Sequence, residues 1–334
     1  MTTPDHTAVA SAGWLSVGAW QRRFREQPLL PLLLLLALLV LLLFTIQPGL
    51  LGRPQAWLNS TIRFATPLAI LAACQTLTML TGGIDLSVAT VASATGFIVA
   101  SQAPSQGPAV AIVLGLVVAA CFGLINGIGV SIFRVQPLIM TLGTGLVAAG
   151  LLVIYQRFVI TAGARVPEPV VWLASGTSFG FFPNCLLLLV PLSAVIIIGL
   201  RRTGYGRLLY AVGDNPIAAR LAGVRVWQVL LVLYMLSGIL AGIAGVVVAG
   251  VTNTAAPSGA DSYLLPSVAA AVIGGTSIFG GRGGYSGTIV GAFILTVLAS
   301  VLTVLKAPEP VRMIVYGAII LSVAAAYARV TSDR

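Results

Sequence analysis

The sequence predicts an all-α integral membrane protein with about ten transmembrane helices. Three observations predict it. Hydrophobic residues make up 58% of the chain and charged residues only 8%, against about 25% charged in soluble domains. The mean hydropathy is +1.04. Apolar runs such as the one from Pro28 to Ile46 reach the roughly 18 residues that a helix needs to cross hydrocarbon. A water-soluble fold has no means of sheltering so much apolar surface, and the lack of period-two alternation excludes a closed barrel.

Breaks at Gly, Pro and Arg divide the apolar sequence into ten spans, at 29–48, 64–80, 86–102, 109–133, 137–156, 185–200, 227–250, 265–280, 285–305 and 311–328. Residues 1–28 form a polar tail ending in Arg22, Arg23 and Arg25. The run that follows is too long for a signal-peptide core and has no A-x-A-like site after it, so the first span is expected to stay uncleaved. Residues 29–328 then form one polytopic domain with its main cytoplasmic loop at 201–226, followed by a short tail at 329–334.

With the N-terminus in the cytoplasm, twelve of the eighteen basic residues fall inside, including Arg201, Arg202, Arg207, Arg220, Arg225 and Arg282. Translocated loops tolerate few positive charges, so both termini are expected to be cytoplasmic. The third and eighth spans are short and interrupted by glycine, which suits broken or re-entrant helices. Spans two to five begin outside and spans seven to ten inside, as expected of an inverted repeat, although no residue-level repeat is visible.

The net charge of +10 does not gather into a basic tract with interleaved aromatics, so nucleic acid is not an expected partner. Cys74, Cys121 and Cys185 lie in or beside apolar runs without metal-ligand spacing, and read as packing residues. His6 is the sole histidine and lies in the tail. No paired carboxylates fall within a span, so neither a catalytic nor a metal site is expected.

Three segments carry the functional information. Asp85 is the only carboxylate between Glu26 and Glu168 and sits in Thr81-Gly82-Gly83-Ile84-Asp85-Leu86-Ser87 between two spans. Asp85 and Ser87 suit the cap of the following helix, and a carboxylate so placed also suits a pathway or gate. The loop from Arg201 to Val226 carries five arginines, and Asp214-Asn215-Pro216 opens a short helix, Ile217 to Ala222, stopped by Gly223. Such a helix on the inner face suits docking of a partner; a solvated loop obeying the positive-inside rule is the plainer reading. Gly274, Gly275 and Thr276 open a run with six glycines from Gly274 to Gly284, suited to close packing or a flexible pathway element. That run is no phosphate cradle, because the only lysine, Lys306, lies far from it.

Four motifs resemble the permease subunits of bacterial sugar-type ATP-binding-cassette (ABC) importers, the group of ribose, xylose and galactofuranose permeases. They are T-G-G-I-D-L-S-V from Thr81, Q-P-L-I-M-T-L-G-T from Gln136, G-R-L-L-Y-A-V-G-D-N-P-I-A-A-R-L-A-G-V from Gly206 and A-V-I-G-G-T-S-I-F-G-G-R-G from Ala271. The resemblance covers nearly the whole chain. It implies a second permease subunit, usually identical, two ATPase subunits that bind ATP and magnesium on the cytoplasmic face, and an extracytoplasmic sugar-binding protein. It implies a bacterial cytoplasmic membrane location and no cofactor in this chain. It also implies that Arg207, Tyr210, Gly213, Asn215, Ala218, Ala219 and Gly223 belong to the loop coupled to the ATPase, with Ala218 and Ala219 small enough for a partner groove to close over them. One departure is Leu265-Pro266-Ser267-Val268, where relatives often have an acidic residue. Glu168, Arg165 and Asp261 are expected on the outer side. The competing reading is a secondary carrier driven by an ion gradient, with Asp85 as coupling group.

Overall fold

The computed structural model describes residues 29–159 and 164–332, with side chains as far as residue 322. The expected polar tail at 1–28 and the end of the C-terminal tail, Asp333 and Arg334, lie outside the described residues. The chain forms α1 (Leu29–Ile46), α2 (Pro54–Leu80), α3 (Val88–Gln106), α4 (Pro108–Ser131), α5 (Pro137–Val159), a short α6 (Glu168–Ser175), α7 (Leu186–Arg202), α8 (Gly204–Asp214) and α9 (Pro216–Leu221). It continues through α10 (Val226–Thr252), α11 (Leu264–Ile273), α12 (Tyr285–Val304) and α13 (Glu309–Ser332). A two-residue hairpin pairing Thr177–Ser178 with Phe182–Pro183 is the only β-structure among the described residues.

Every expected span contains a helix, but not every helix is long and apolar enough to cross a bilayer. Among the described residues, α1, α2, α4, α5, α10 and α12 are, and α7 with α8, bent by 67° at their junction, makes a seventh. The eighth span, expected at 265–280, is helical only over the ten residues of α11. Gly274 follows it directly and Gly275 takes φ of +90°, a left-handed turn that ends the helix. Helix α3 has 19 residues but is rich in Ala, Ser and Thr. The second helix begins at Pro54, ten residues before the apolar run at 64, because proline fits the first turn, where its missing N–H has no partner to lose.

Composition separates peripheral from central helices. In α1, two-thirds leucine, only 6% of the spanning window is buried, whereas in α2, with its Ala, Thr, Cys and Gln, 83% is. Lipid tails are as apolar as leucine, so leucine gains little by leaving them; small and weakly polar side chains permit close approach and mark the interior. That approach is close on α10. Gly245 backs onto the Ala92 carbonyl of α3, and Gly238 onto the Ala119 carbonyl of α4, with no room for a Cβ.

Each half of the chain sends one helix into the other. Helix α2 packs chiefly on α10, α12 and α11 of the second half, while α10 packs chiefly on α4 and α3 of the first.

Replacing Gly245 by Val should lower the melting temperature of the detergent-solubilised protein, because backbone has to shift, and overpacking of this kind costs about 1–3 kcal/mol. A Cβ added at Gly150 would meet nothing within 4 Å, so Gly150→Ala should be neutral or stabilising by up to about 1 kcal/mol in the same thermal assay.

Candidate functional site

The break between α2 and α3 turns the chain inside the protein, where backbone groups have no water to bind. Polar side chains from other helices replace it. The Gln75 side chain of α2 serves as a surrogate backbone partner: its Nε2 donates to the Asp85 carbonyl (2.8 Å) and its Oε1 accepts from the Asp85 N–H (3.3 Å). The Thr141 hydroxyl of α5 lies 3.0 Å from the Leu86 N–H and 3.1 Å from the Ile84 carbonyl.

The carboxylate of Asp85, 1% exposed, accepts three hydrogen bonds. Its Oδ1 takes the Ser87 N–H (3.0 Å) and the Ser87 hydroxyl (2.6 Å), and its Oδ2 takes the Ser237 hydroxyl of α10 (2.8 Å). The first of these closes an Asx turn ahead of α3, so Asp85 does act at the helix start as expected. Ser87 does not: its hydroxyl makes no capping bond to the helix and instead donates to Asp85 while accepting from Asn126 Nδ2 of α4 (2.9 Å). Asn126 Oδ1 in turn accepts from the Thr144 hydroxyl of α5. One network therefore ties the break to α2, α4, α5 and α10.

The other glycine segment meets the same break from the far side. The Gly281 N–H donates to the Leu80 carbonyl (3.0 Å). Gly213, near the end of α8, is wedged against that carbonyl and the Gly281 nitrogen, leaving no room for a Cβ. Gly280 and Gly281 take φ of +91° and +71°, and Gly281 lies against Asp214. Tyr210 adds a bond from its hydroxyl to the Gly283 carbonyl (2.9 Å). Gly274 approaches α12 at Thr288 too closely for any side chain, and Thr276 is buried beside Gly283. Gly82 faces the Phe279 carbonyl and Gly83 the Tyr234 hydroxyl.

Helices α8 and α9 project from this junction as a capped pair. Thr203 caps α8 by accepting from the Gly206 N–H (3.1 Å), and Asn215 caps α9 by accepting from the N–H groups of Ile217 (3.0 Å) and Ala218 (2.9 Å). Gly223, with φ of +86°, ends the segment. Arg207 and Ala218 are exposed, and so are two large apolar side chains of α9, Ile217 at 69% and Leu221 at 85%. Ala219 is buried: it turns inward, so a partner groove can reach Ala218 but not Ala219.

The expected coupling and pathway residues thus converge, from segments far apart in sequence, on one end of the bundle. Sequence reading missed Gln75, Asn126, Thr141, Thr144 and Ser237. Gln75 and Asn126 carried a usable signal, since an amide in the middle of an apolar span needs a partner; the lone hydroxyls carried none. Among the described residues no three His, Cys, Asp or Glu side chains come together in a metal-binding group. Cys74 and Cys185 are buried and Cys121 is exposed. Arg165 and Glu168 border a cavity of about 480 Å³ with Asn253 at the opposite end of the bundle, where Asp261 is exposed.

A helical bundle of membrane-spanning length, with an irregular polar interior and a capped helix pair braced against it, defines a polytopic membrane protein. Residues 58–324 match the family described as branched-chain amino acid transport system / permease component. The probable ABC transporter permease protein y4mJ of Sinorhizobium fredii is 36% identical over 252 residues, 73% of this chain and 74% of its own. The ribose import permease protein RbsC of Escherichia coli is 35% identical over 76% of this chain and 79% of its own, and the fructose import permease protein FrcC of Rhizobium meliloti 35% over 70% and 66%. No solved structure matches the chain. The chain belongs to the ABC importer permease family that includes the ribose and fructose import permeases.

Asp85→Ala leaves the Ser87 N–H and the Ser237 hydroxyl without their acceptor, and each orphaned buried group costs about 1–3 kcal/mol. The variant should melt well below wild type. Ser237→Ala should lose less, and a double-mutant cycle should return a coupling of roughly 0.5–3 kcal/mol; additive losses would contradict the contact. Asn215→Ala should destabilise α9 by about 1 kcal/mol, read as faster amide exchange at Ile217 and Ala218.

Proposed function

We propose that this chain is the membrane-spanning permease subunit of an ABC importer that brings a monosaccharide, or a similar small polar solute, into the cytoplasm by alternating access. The observation that carries this reading is the braced helix pair α8–α9. Its exposed apolar side chains Ile217 and Leu221 face away from the bundle, while Gly213 and Tyr210 lock it to the ends of α2 and of the segment before α12. A push on α9 is transmitted through rigid contacts to the break at Asp85, and so to α10. The sugar is suggested by the ribose and fructose named for the relatives.

In this reading the chain crosses a bacterial cytoplasmic membrane ten times with both termini inside. Helix α3 crosses although it is polar because protein surrounds it, and α11 with the glycine segment after it makes one broken crossing; irregular backbone is tolerated at such depth where protein covers it. The exchange of α2 and α10 between halves supports an inverted repeat of spans two to five and seven to ten. The permease pairs with a second copy, and two ATPase subunits dock on α9 and supply the ATP and magnesium. The loaded binding protein docks on the opposite face, where Arg165, Glu168 and Asp261 lie. The coupling group required by an ion-driven carrier is poorly served here, since both Asp85 oxygens are held by serine groups.

Gentle affinity purification of the tagged protein from its native membranes should bring down a P-loop ATPase whose turnover rises with a sugar-loaded binding protein. A pure chain without ATPase, transporting only under an ion gradient, would overturn the reading. Ala218→Trp should abolish ATPase co-purification or uncouple its turnover from transport, while the thermal stability of the permease stays within about 0.5 kcal/mol, as for a surface change.

A further inference from the structure

The end of the bundle opposite α9 holds a cavity of about 590 Å³ between α1, α2, α12, the start of α13 and the turn before α11. It is elongated. The hydroxyls of Thr76 on α2 and Thr288 on α12 lie 2.7 Å apart, and beyond them the two helices run antiparallel along the cavity: Leu68 packs in one cluster with Leu295, and Trp57 in another with Val304. The wall extends over 57–68 of α2 and 295–304 of α12, which at 1.5 Å of rise per residue is about 14 to 17 Å. Half of the hydrocarbon core is about 15 Å, so the cavity has the depth of one lipid leaflet.

Polarity changes along that length. Leu68 and Leu295 lie at the inner end, and Glu309 and Arg312, the two charged residues on the wall, stand beside Thr303 at the outer. In between, the hydroxyls of Thr296 and Ser300 donate to carbonyls of their own helix at 2.8 and 3.0 Å, so they meet an apolar guest without losing a bond. The Arg312 guanidinium donates to the Ala307 carbonyl (3.3 Å) and the Thr303 hydroxyl (3.1 Å), with Glu309 at 3.9 Å, and keeps further N–H groups to donate. Helix α1 packs chiefly on α12 and α13 chiefly on α11, which leaves a gap between α1 and α13. The bare apolar residues Val311, Ile314 and Leu321 lie on the opposite face of α13 from Glu309, Arg312 and Tyr316, so the cavity is distinct from that face.

We propose that this cavity binds one phospholipid of the leaflet opposite α9, with its phosphate on Arg312 and an acyl chain laid along α12 toward Leu68 and Leu295. Charge confined to one end and the depth of a leaflet suit an amphiphile; a small polar solute needs polar partners on every side. A cation beside a carboxylate complements a zwitterion, whose phosphate oxygens accept from the guanidinium while an ammonium donates to Glu309. The headgroup is therefore ethanolamine rather than glycerol, which leaves Glu309 facing net negative charge, or choline, which has no N–H to donate. The lipid fills the gap between α1 and α13 and joins two helices that do not pack on each other. Binding does not depend on the import reading; only the naming of that leaflet as the outer one does.

The test uses the full-length protein, delipidated in detergent and titrated with phosphatidylethanolamine, phosphatidylglycerol or inorganic phosphate, with native mass spectrometry and thermal stability as readouts. Wild type should hold one phosphatidylethanolamine per protomer saturably, melt at a higher temperature when it is bound, and hold phosphatidylglycerol several-fold more weakly. Arg312→Gln should weaken binding roughly tenfold or more, and Glu309→Gln should shift the preference toward phosphatidylglycerol. Arg165→Gln, which removes a cation at the other cavity of the same end, should change neither. Ser300→Trp, which fills the middle of the cavity, should lose the lipid; if it fails to fold, Arg312→Gln carries the test. Wild-type retention in Arg312→Gln and Ser300→Trp overturns the site. Equal loss in Arg165→Gln, or protection by inorganic phosphate equal to that by lipid, overturns it as well, and a wild type that prefers phosphatidylglycerol overturns the headgroup assignment. None of these readouts uses transport, so their failure leaves the import reading standing, and a complex that moves no sugar leaves the lipid site standing.

Discussion

The carboxylate of Asp85 and the three groups that bond it hold the place on which the architecture turns. A packed protein interior offers no water, so a chain that leaves helical geometry there strands its N–H and C=O groups. Gln75 and Thr141 satisfy that backbone, and Asp85 fastens the turn to Ser237 on α10. The turn so fixed sets α3 against α10, where Gly245 and Ala92 meet backbone to backbone.

Around the break, glycine performs two different tasks. At Gly245 and Gly238 it removes side-chain bulk so that helices approach to contact distance, which is how helices gain cohesion where burial of leucine gains little. At Gly280 and Gly281 it supplies a left-handed backbone that folds back under Gly213. The second group lets backbone of α8 and of the glycine segment meet directly, with the Tyr210 hydroxyl adding a side-chain bond to the Gly283 carbonyl.

The two ends of the bundle are chemically distinct. One presents a capped helix pair with bare apolar residues, Ile217 and Leu221, and exposed arginines such as Arg207. The other contains two cavities, one edged by Arg165 and Glu168 and the other striped with hydroxyls. Helices α2 and α12 run between the ends.

Much of this was legible in the sequence by itself. The apolar runs located ten helices because hydrophobic length is a local property that lipid reads directly, and the Asn215 cap and Gly223 stop were visible because capping is local too. The segments at Gly82–Ser87, Gly206–Gly223 and Gly274–Gly284 were visible as interruptions of that pattern. The tertiary structure decided where those interruptions meet. That Asp85 bonds Ser237, 152 residues away, that Gly213 seats on Leu80 and Gly281, and that Ala219 faces inward while Ala218 faces out all depend on which helices become neighbours. It also decided that α11 stops after ten residues and that hydroxyls of α2 and α12 face one cavity. Periodicity ranks helix faces by polarity, but in lipid that ranking is weak, and shape complementarity between distant small residues selects the partner.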